Sequence, residues 1–172
     1  EDVNNDGRAD LYVVKRNVAR MPDFAGADPN NLLVQRADGT FVETGDIAGV
    51  ASTRVGRGGA LVDLNMDGLL DMVAVNRWEP AEIWRNTTQG AGNWVQIRLL
   101  QPAPNVNGVG AWVELRTDQG LQRRELTAGG GHAGGHAGWW HFGLGGADKA
   151  DIRVIWPGGT AGAWLPVTPA TF

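Results

Sequence analysis

The sequence predicts an all-β fold, in which partial β-propeller blades are followed by a small β-sandwich or barrel-like domain. Three observations predict it: the glycine-rich composition, a repeated loop that leads into an apolar strand, and a change of pattern near residue 90. The chain has 26 glycines and 8 prolines among 172 residues, a composition typical of short strands joined by tight turns. Its 42% apolar fraction is enough to bury a core. We therefore expect a globular protein that is mostly strand.

A string of the form Asp-x-Asn-x-Asp-Gly-x-x-Asp occurs twice, first at Asp2–Asp10 and again at Asp63–Asp71. Each copy leads into an apolar strand, LYVV at 11–14 and MVAV at 72–75. A loop followed by several short strands is typical of one blade of a β-propeller or of a similar repeat. Repeats of this kind bury their faces against neighbours, and the first copy begins inside its own loop. We therefore expect a C-terminal piece of a longer protein, or a chain whose partner supplies the missing blades.

The pattern changes at the Gly-rich connector TTQGAGN, residues 87–93, after which the Asp string does not recur. The stretches WVQIRLL at 94–100 and AWVELR at 111–116 alternate apolar with other residues, as strands with one buried face do. These later strands predict a compact sandwich or a partly open barrel. We therefore predict two domains, residues 1–90 and residues 91–172.

Oxygen-bearing side chains recur at every second position of the repeated string, so they face one centre. Hard oxygen ligands at this spacing suit Ca²⁺, which takes about 6 to 8 oxygens at ~2.3 to 2.6 Å. Gly7 and Gly68 permit the sharp bend that such a loop needs. The predicted ligands, four side chains and one backbone carbonyl in each loop, are Asp2, Asn4, Asp6, Arg8 and Asp10, and Asp63, Asn65, Asp67, Leu69 and Asp71.

The loop differs from an EF-hand, because it continues as a strand and lacks the glutamate and the helix that an EF-hand requires. The alternative is that Asp, Asn and Gly simply form solvated turns. Two matched copies favour the calcium interpretation. The first loop lies close to a chain end that frays, so we expect its ion to contribute less to stability.

Residues 1–86 resemble FG-GAP/VCBS repeats, which are calcium-loop propeller blades. The blocks NVNGVGAWVELR, RRELTAGGG, HFGLG and DIRVIWPGGT are similar, in that order, to the ASPIC/UnbV domain that follows such repeats in the cartilage acidic protein-like family. The resemblance implies an extracellular, periplasmic or cell-surface protein with a calcium-stapled propeller. It implies adhesion or binding, and it implies no known catalytic residues.

The chain departs from that family in the stretch GGGHAGGHAGWWHFGLG, which holds its only histidines, His132, His136 and His141. Clustered imidazoles can hold Zn²⁺ or Cu²⁺. No Cys, Asp or Glu lies between residues 126 and 147 to complete a shell, so we favour a structural role and leave metal binding open. Trp139 and Trp140 point to opposite faces of a strand, so at most one of them is exposed to stack on a sugar ring.

The residues offer few groups for catalysis, so we expect that the protein is not an enzyme. Ser52 is the only serine and lies outside any G-x-S-x-G string, and no motif pairs the acids outside the loops. The formal net charge of −4, without clusters of Lys and Arg, argues against a nucleic-acid partner. No apolar run approaches the roughly 20 residues of a membrane span.

The leading expectation is a non-catalytic, calcium-binding extracellular or cell-surface module that mediates adhesion or protein–protein interaction. One alternative is a glycan-binding or glycan-processing accessory domain, with its site around Trp139, Trp140 and the three histidines. Another is a structural subunit of an extracellular assembly, built by self-association or by further propeller blades. This last alternative predicts exposed apolar faces on the strands of residues 11–86.

Overall fold

A computed structural model describes residues 1–15, 28–132, 134–135 and 138–171. Regular structure in these ranges is almost entirely strand, with one short helix, α1 (Gly45–Ala48), so the prediction of an all-β fold is confirmed. The strands are β1 (Leu11–Val13), β2 (Asn31–Gln35), β3 (Phe41–Glu43), β4 (Gly56–Val62), β5 (Asp71–Asn76), β6 (Glu82–Trp84), β7 (Asn93–Ile97), β8 (Trp112–Thr117), β9 (Gly120–Glu125), β10 (Trp140–Gly145), β11 (Ala150–Ile155) and β12 (Leu165–Val167).

The chain is divided into two compact units that do not follow the sequence order strictly. The first contains Glu1, the long range Arg8–Thr88 and the short segment Gly130–Gly135, whereas the rest of the chain forms the second. The segment Asp2–Gly7 belongs to the second unit although it starts the chain. The predicted domain bounds, 1–90 and 91–172, stay a prediction.

The first unit contains two antiparallel sheets, with strand orders β1-β2-β3 and β4-β5-β6. Each sheet includes the strand that follows an Asp loop, β1 in the first and β5 in the second, and these sheets are consistent with partial propeller blades. Met72 and Ala74 of β5 are buried while Val75 is exposed, because successive side chains of a strand point to opposite faces. The rings of Tyr12 in β1 and Trp84 in β6 meet edge to face, with their centres 6.3 Å apart.

The second unit is a small sandwich of a four-stranded sheet, order β12-β11-β8-β9, and a two-stranded sheet, order β10-β7. Val113 and Leu115 of β8 are fully buried, as the alternation in AWVELR predicts. From the smaller sheet, Val95 and Phe142 pack into the same cluster. The described strands form no closed barrel.

Candidate metal centre

The second Asp loop, Asp63–Asp71, folds around its own side-chain oxygens. The backbone N–H of Asp67 donates to Asp63 Oδ1 at 3.1 Å and to Asn65 Oδ1 at 3.2 Å. Gly68 N–H donates to Asp63 Oδ2 at 2.8 Å, and Asn65 Nδ2 donates to Asp67 Oδ2 at 2.8 Å. The oxygens of Asp63, Asn65 and Asp67 therefore lie together on one side of a tight turn.

Two residues with left-handed backbone conformations produce this turn. Gly68 has a φ of 84°, which glycine adopts without steric cost, in agreement with its predicted role in the bend. Met66 has a φ of 59°, a conformation that is unfavourable for a residue with a Cβ. The loop is thus held by its hydrogen bonds in a shape that Met66 would not adopt by itself.

The last predicted ligand, Asp71, is nearly fully buried at the start of β5, with 2% of its surface exposed. Its Oδ2 accepts the Leu64 N–H at 3.2 Å, and its Oδ1 accepts the Asn86 N–H at 2.8 Å. This carboxylate therefore connects the start of the loop to the segment that follows β6.

The first loop repeats four hydrogen bonds of the second. Asp6 N–H donates to Asp2 Oδ1 at 3.1 Å and to Asn4 Oδ1 at 3.2 Å, and Gly7 N–H donates to Asp2 Oδ2 at 2.7 Å. Asn4 Nδ2 donates to Asp6 Oδ2 at 2.9 Å. The backbone also matches, since Asn5 has a φ of 60° and Gly7 one of 85°. Two distant copies of the string have therefore folded into the same turn.

Asp2, Asn4 and Asp6 lie in the second unit, whereas Arg8 and Asp10 lie in the first. Within the first unit, Asp10 Oδ1 accepts the N–H of Gln35, the last residue of β2, at 2.8 Å. In the second loop, Asp71 accepts the Asn86 N–H in the same way, so the last aspartate of each loop is hydrogen-bonded to the backbone of a later segment.

The two loops differ in burial. Val3 and Asn5 are 5% and 1% exposed, whereas the residues at the same positions of the second loop, Leu64 and Met66, are 53% and 61% exposed. Asp2 is fully buried. At these positions the first loop is therefore the more buried of the two. The smaller contribution to stability that the sequence predicts for its ion stays a prediction.

The chemistry of the donor set fits a hard cation such as Ca²⁺, because every side chain predicted as a ligand offers oxygen. Burial raises the pKa of Asp67, but hydrogen bonds from Asn65 and the Leu69 N–H, together with the Arg85 guanidinium, hold it below its ordinary value. Arg85 Nη2 lies 3.2 Å from Asp67 Oδ2, so a bound cation would share the Asp67 carboxylate with Arg85 or displace the Arg85 guanidinium.

Among the described residues, no three His, Cys, Asp or Glu side chains are close enough together to form a metal site as they stand.

Of the three histidines, His141 has a defined structural role. It is 3% exposed within β10, and its Nε2 lies 2.6 Å from Asn5 Oδ1 in a hydrogen bond. Its ring stacks on Trp94, with the ring centres 6.1 Å apart and the planes 19° apart. His132 is exposed, and His136 lies outside the described residues. Sequence reasoning missed the bond to Asn5, for which the HFGLG block was the only nearby signal.

Trp139, just before β10, and Trp140, its first residue, differ in exposure as predicted for adjacent residues. Trp140 packs into the core of the second unit, and Trp139 is exposed. Trp139 is therefore the one of the two whose ring solvent can reach.

Comparison with known families agrees with this architecture. Residues 2–74 match the family model described as an FG-GAP-like repeat, and residues 101–170 match the one described as ASPIC and UnbV. No curated protein matches the chain at a significant level. Domains of these two types are extracellular-type protein-interaction modules, and FG-GAP domains are typically extracellular or at the cell surface. In the described ranges, no helix has the length and apolar character needed to cross a membrane. The chain therefore joins an FG-GAP-like repeat region to a following ASPIC and UnbV domain.

Proposed function

We propose that the chain is a non-catalytic, calcium-stabilised module through which an extracellular or cell-surface protein binds another protein. The observation that supports the calcium part is the agreement of four hydrogen bonds between the two loops. Two unrelated solvated turns would not need oxygen-bearing side chains at the same positions, a left-handed residue at the same position and a glycine at the same position. A shared cation ligand set explains all three.

Calcium binding would relieve the charge repulsion within each loop. Three carboxylates per loop repel one another, and a divalent cation between them replaces that repulsion with attraction. The formal net charge of −4 equals the charge that two Ca²⁺ ions would neutralise. Extracellular modules of this kind often bind with Kd values of ~10⁻⁴ to 10⁻³ M. At roughly tenfold excess over Kd, each ion would stabilise the fold by about 1.4 kcal/mol.

The calcium proposal is tested by thermal unfolding of the chain in EDTA, in millimolar Mg²⁺ and in millimolar Ca²⁺. We expect EDTA to lower Tm, and Ca²⁺ to restore it better than Mg²⁺ does. The double variant Asp63→Asn, Asp67→Asn should lose the share of the calcium effect that the second loop supplies. Asp46→Asn, which neutralises an exposed acid outside both loops, is the matched control and should keep the whole effect. Identical Tm values in the three buffers would contradict the proposal.

Support for the interaction part comes from the outer face of the β4-β5-β6 sheet. Val75 and Ile83 on this face are 51% and 65% exposed, and Trp78 in the turn between β5 and β6 is 76% exposed. Exposed apolar patches of this kind mark interaction sites in soluble proteins.

The non-catalytic part of the proposal is supported by Ser52, the only serine of the chain. Its hydroxyl donates to Glu82 Oε2 at 2.6 Å, an arrangement that supports a structural rather than a nucleophilic role.

The interaction part is tested by sedimentation velocity over a range of protein concentrations in Ca²⁺. Self-association through the apolar face should be weakened by Ile83→Lys, whereas Ile47→Lys, at an exposed residue of α1, should leave it unchanged. A monomer at every concentration would exclude self-association and leave a different protein as the partner.

Adhesion and an extracellular location are parts of the same proposal. Cell fractionation with antibodies against the natural protein tests the location.

A further inference from the structure

The backbone of the second unit forms a seat for the segment Asp2–Gly7 that is lined by three glycines, Gly92, Gly143 and Gly145. A Cβ placed on Gly143 would overlap the carboxylate of Asp2, and one on Gly92 would overlap the carbonyl oxygen of Asn5. Gly145 has a φ of 59°, which also favours glycine there. We call this group of glycines the glycine seat. Its close approach to the loop needs residues without side chains.

The glycine seat also binds the loop through its backbone. Gly92 N–H donates to the Asn4 carbonyl at 3.1 Å, and Gly145 N–H donates to the Asn5 carbonyl at 2.8 Å. Two successive carbonyls of the loop are therefore fixed by two segments of the second unit that are far apart in sequence. The backbone of Asn4 and Asn5 therefore has little conformational freedom left.

The side chain of Asn5 completes the attachment through its hydrogen bond to His141. Asn5 is buried and left-handed, and asparagine tolerates that conformation better than most residues do. Met66 has the same backbone conformation in the second loop, where it is exposed. The two loops therefore form an internal comparison: the same turn occurs once with the anchor and once without it.

We propose that His141 is a positioning residue for the first calcium loop: through Asn5 and the glycine seat, it holds Asp2, Asn4 and Asp6 in the conformation that binds Ca²⁺. The proposal rests on the calcium binding proposed above. A loop that is already ordered loses less conformational entropy when the ion binds, so the first loop binds Ca²⁺ more tightly than the second. By linkage, ion binding at the first loop stabilises the second unit, whose strand β10 carries His141.

The test measures Ca²⁺ binding by calorimetry in the full chain, with the second loop disabled by Asp63→Asn and Asp67→Asn. His141→Leu in this background should weaken calcium binding about tenfold, which corresponds to ~1.4 kcal/mol. His141→Gln keeps an N–H donor that can reach Asn5 Oδ1, so it should recover most of the affinity. A residue that merely fills the core would not be rescued by a polar amide.

A second pair of variants leaves His141 and the apolar core cluster of the second unit unchanged. Asn5→Gly keeps the left-handed backbone but removes the hydrogen bond to His141, and it should weaken the first loop as His141→Leu does. Met66→Gly is the matched control, measured with the first loop disabled by Asp2→Asn and Asp6→Asn, and it should not weaken the second loop. Hydrogen exchange of the Trp140 and Phe142 amides should slow on adding Ca²⁺, and this slowing should be lost with Asn5→Gly.

The outcomes separate this inference from the proposed function. Calcium binding at both loops with unchanged affinity in His141→Leu and Asn5→Gly would overturn the positioning role alone. Failure of His141→Gln to recover affinity, or a second loop that binds as tightly as the first, would do the same. Absence of calcium binding at both loops would overturn the proposed function and this inference together.

Discussion

Asn86 donates its backbone N–H to Asp71 Oδ1 at 2.8 Å, and this bond fixes the end of the second loop to the segment after β6. The other oxygen of Asp71 accepts the Leu64 N–H at 3.2 Å. Both oxygens of the buried Asp71 carboxylate thus accept hydrogen bonds from backbone N–H groups. The carboxylate of Asp67, in contrast, lies near the surface and forms an ion pair with Arg85. Asp71 therefore contributes to stability without an ion, and Asp67 contributes chiefly when an ion is bound.

The first prediction separates these two roles. In EDTA, Asp71→Ala should lower the free energy of unfolding by about 2–6 kcal/mol, because two backbone N–H groups lose their acceptor at ~1–3 kcal/mol each. Asp67→Ala should cost less than about 1 kcal/mol in EDTA, since that position is exposed. Urea denaturation with and without Ca²⁺ measures both. Equal losses for the two variants in EDTA would show that the distinction is wrong.

The second prediction concerns the glycine seat. Gly143→Ala should destabilise the second unit by roughly 1–3 kcal/mol or more, because the new methyl group overlaps Asp2 and lies 2.7 Å from the Asn5 Cα. Gly129→Ala is the matched control: its Cβ would meet no atom within 4 Å, so its effect should be near zero or slightly stabilising. Thermal unfolding of both variants provides the comparison. A Gly143→Ala variant as stable as Gly129→Ala would rule out the close approach.

The third prediction is a pH dependence at the β2–β3 turn. The Thr40 hydroxyl and the Thr40 N–H donate to Asp38 Oδ1 at 2.6 and 2.9 Å, and these bonds hold the pKa of Asp38 below its ordinary value of 3.8. A lowered pKa in the folded state means that this contribution to stability is present above pH 3.8 and is lost as the pH falls through the folded pKa. Carboxyl NMR titration should give a value below 3.8 that rises in Thr40→Val, which removes only the hydroxyl donor. An unchanged Asp38 pKa in Thr40→Val would contradict this assignment.

The sequence by itself determined the local structure around each loop. Alternating oxygen ligands and a glycine at the sixth position specify the turn, because hydrogen bonds between residues two to five apart do not depend on the rest of the chain. For the same reason Gly68 adopts its left-handed conformation as predicted. The burial of Val113 and Leu115 also followed from the sequence, since a strand with one buried face must alternate.

Only the tertiary structure decided how the two copies of the loop differ. The string is the same in both, yet Asn5 is buried against His141, 136 positions along the chain, and Met66 is exposed. That difference depends on which surface packs against each loop, and packing between distant segments leaves no periodic signal in the sequence. The fraying expected for the first loop took no account of this packing, which buries Asp2, Val3 and Asn5 and brings the backbone of the glycine seat close to Asp2 and Asn5.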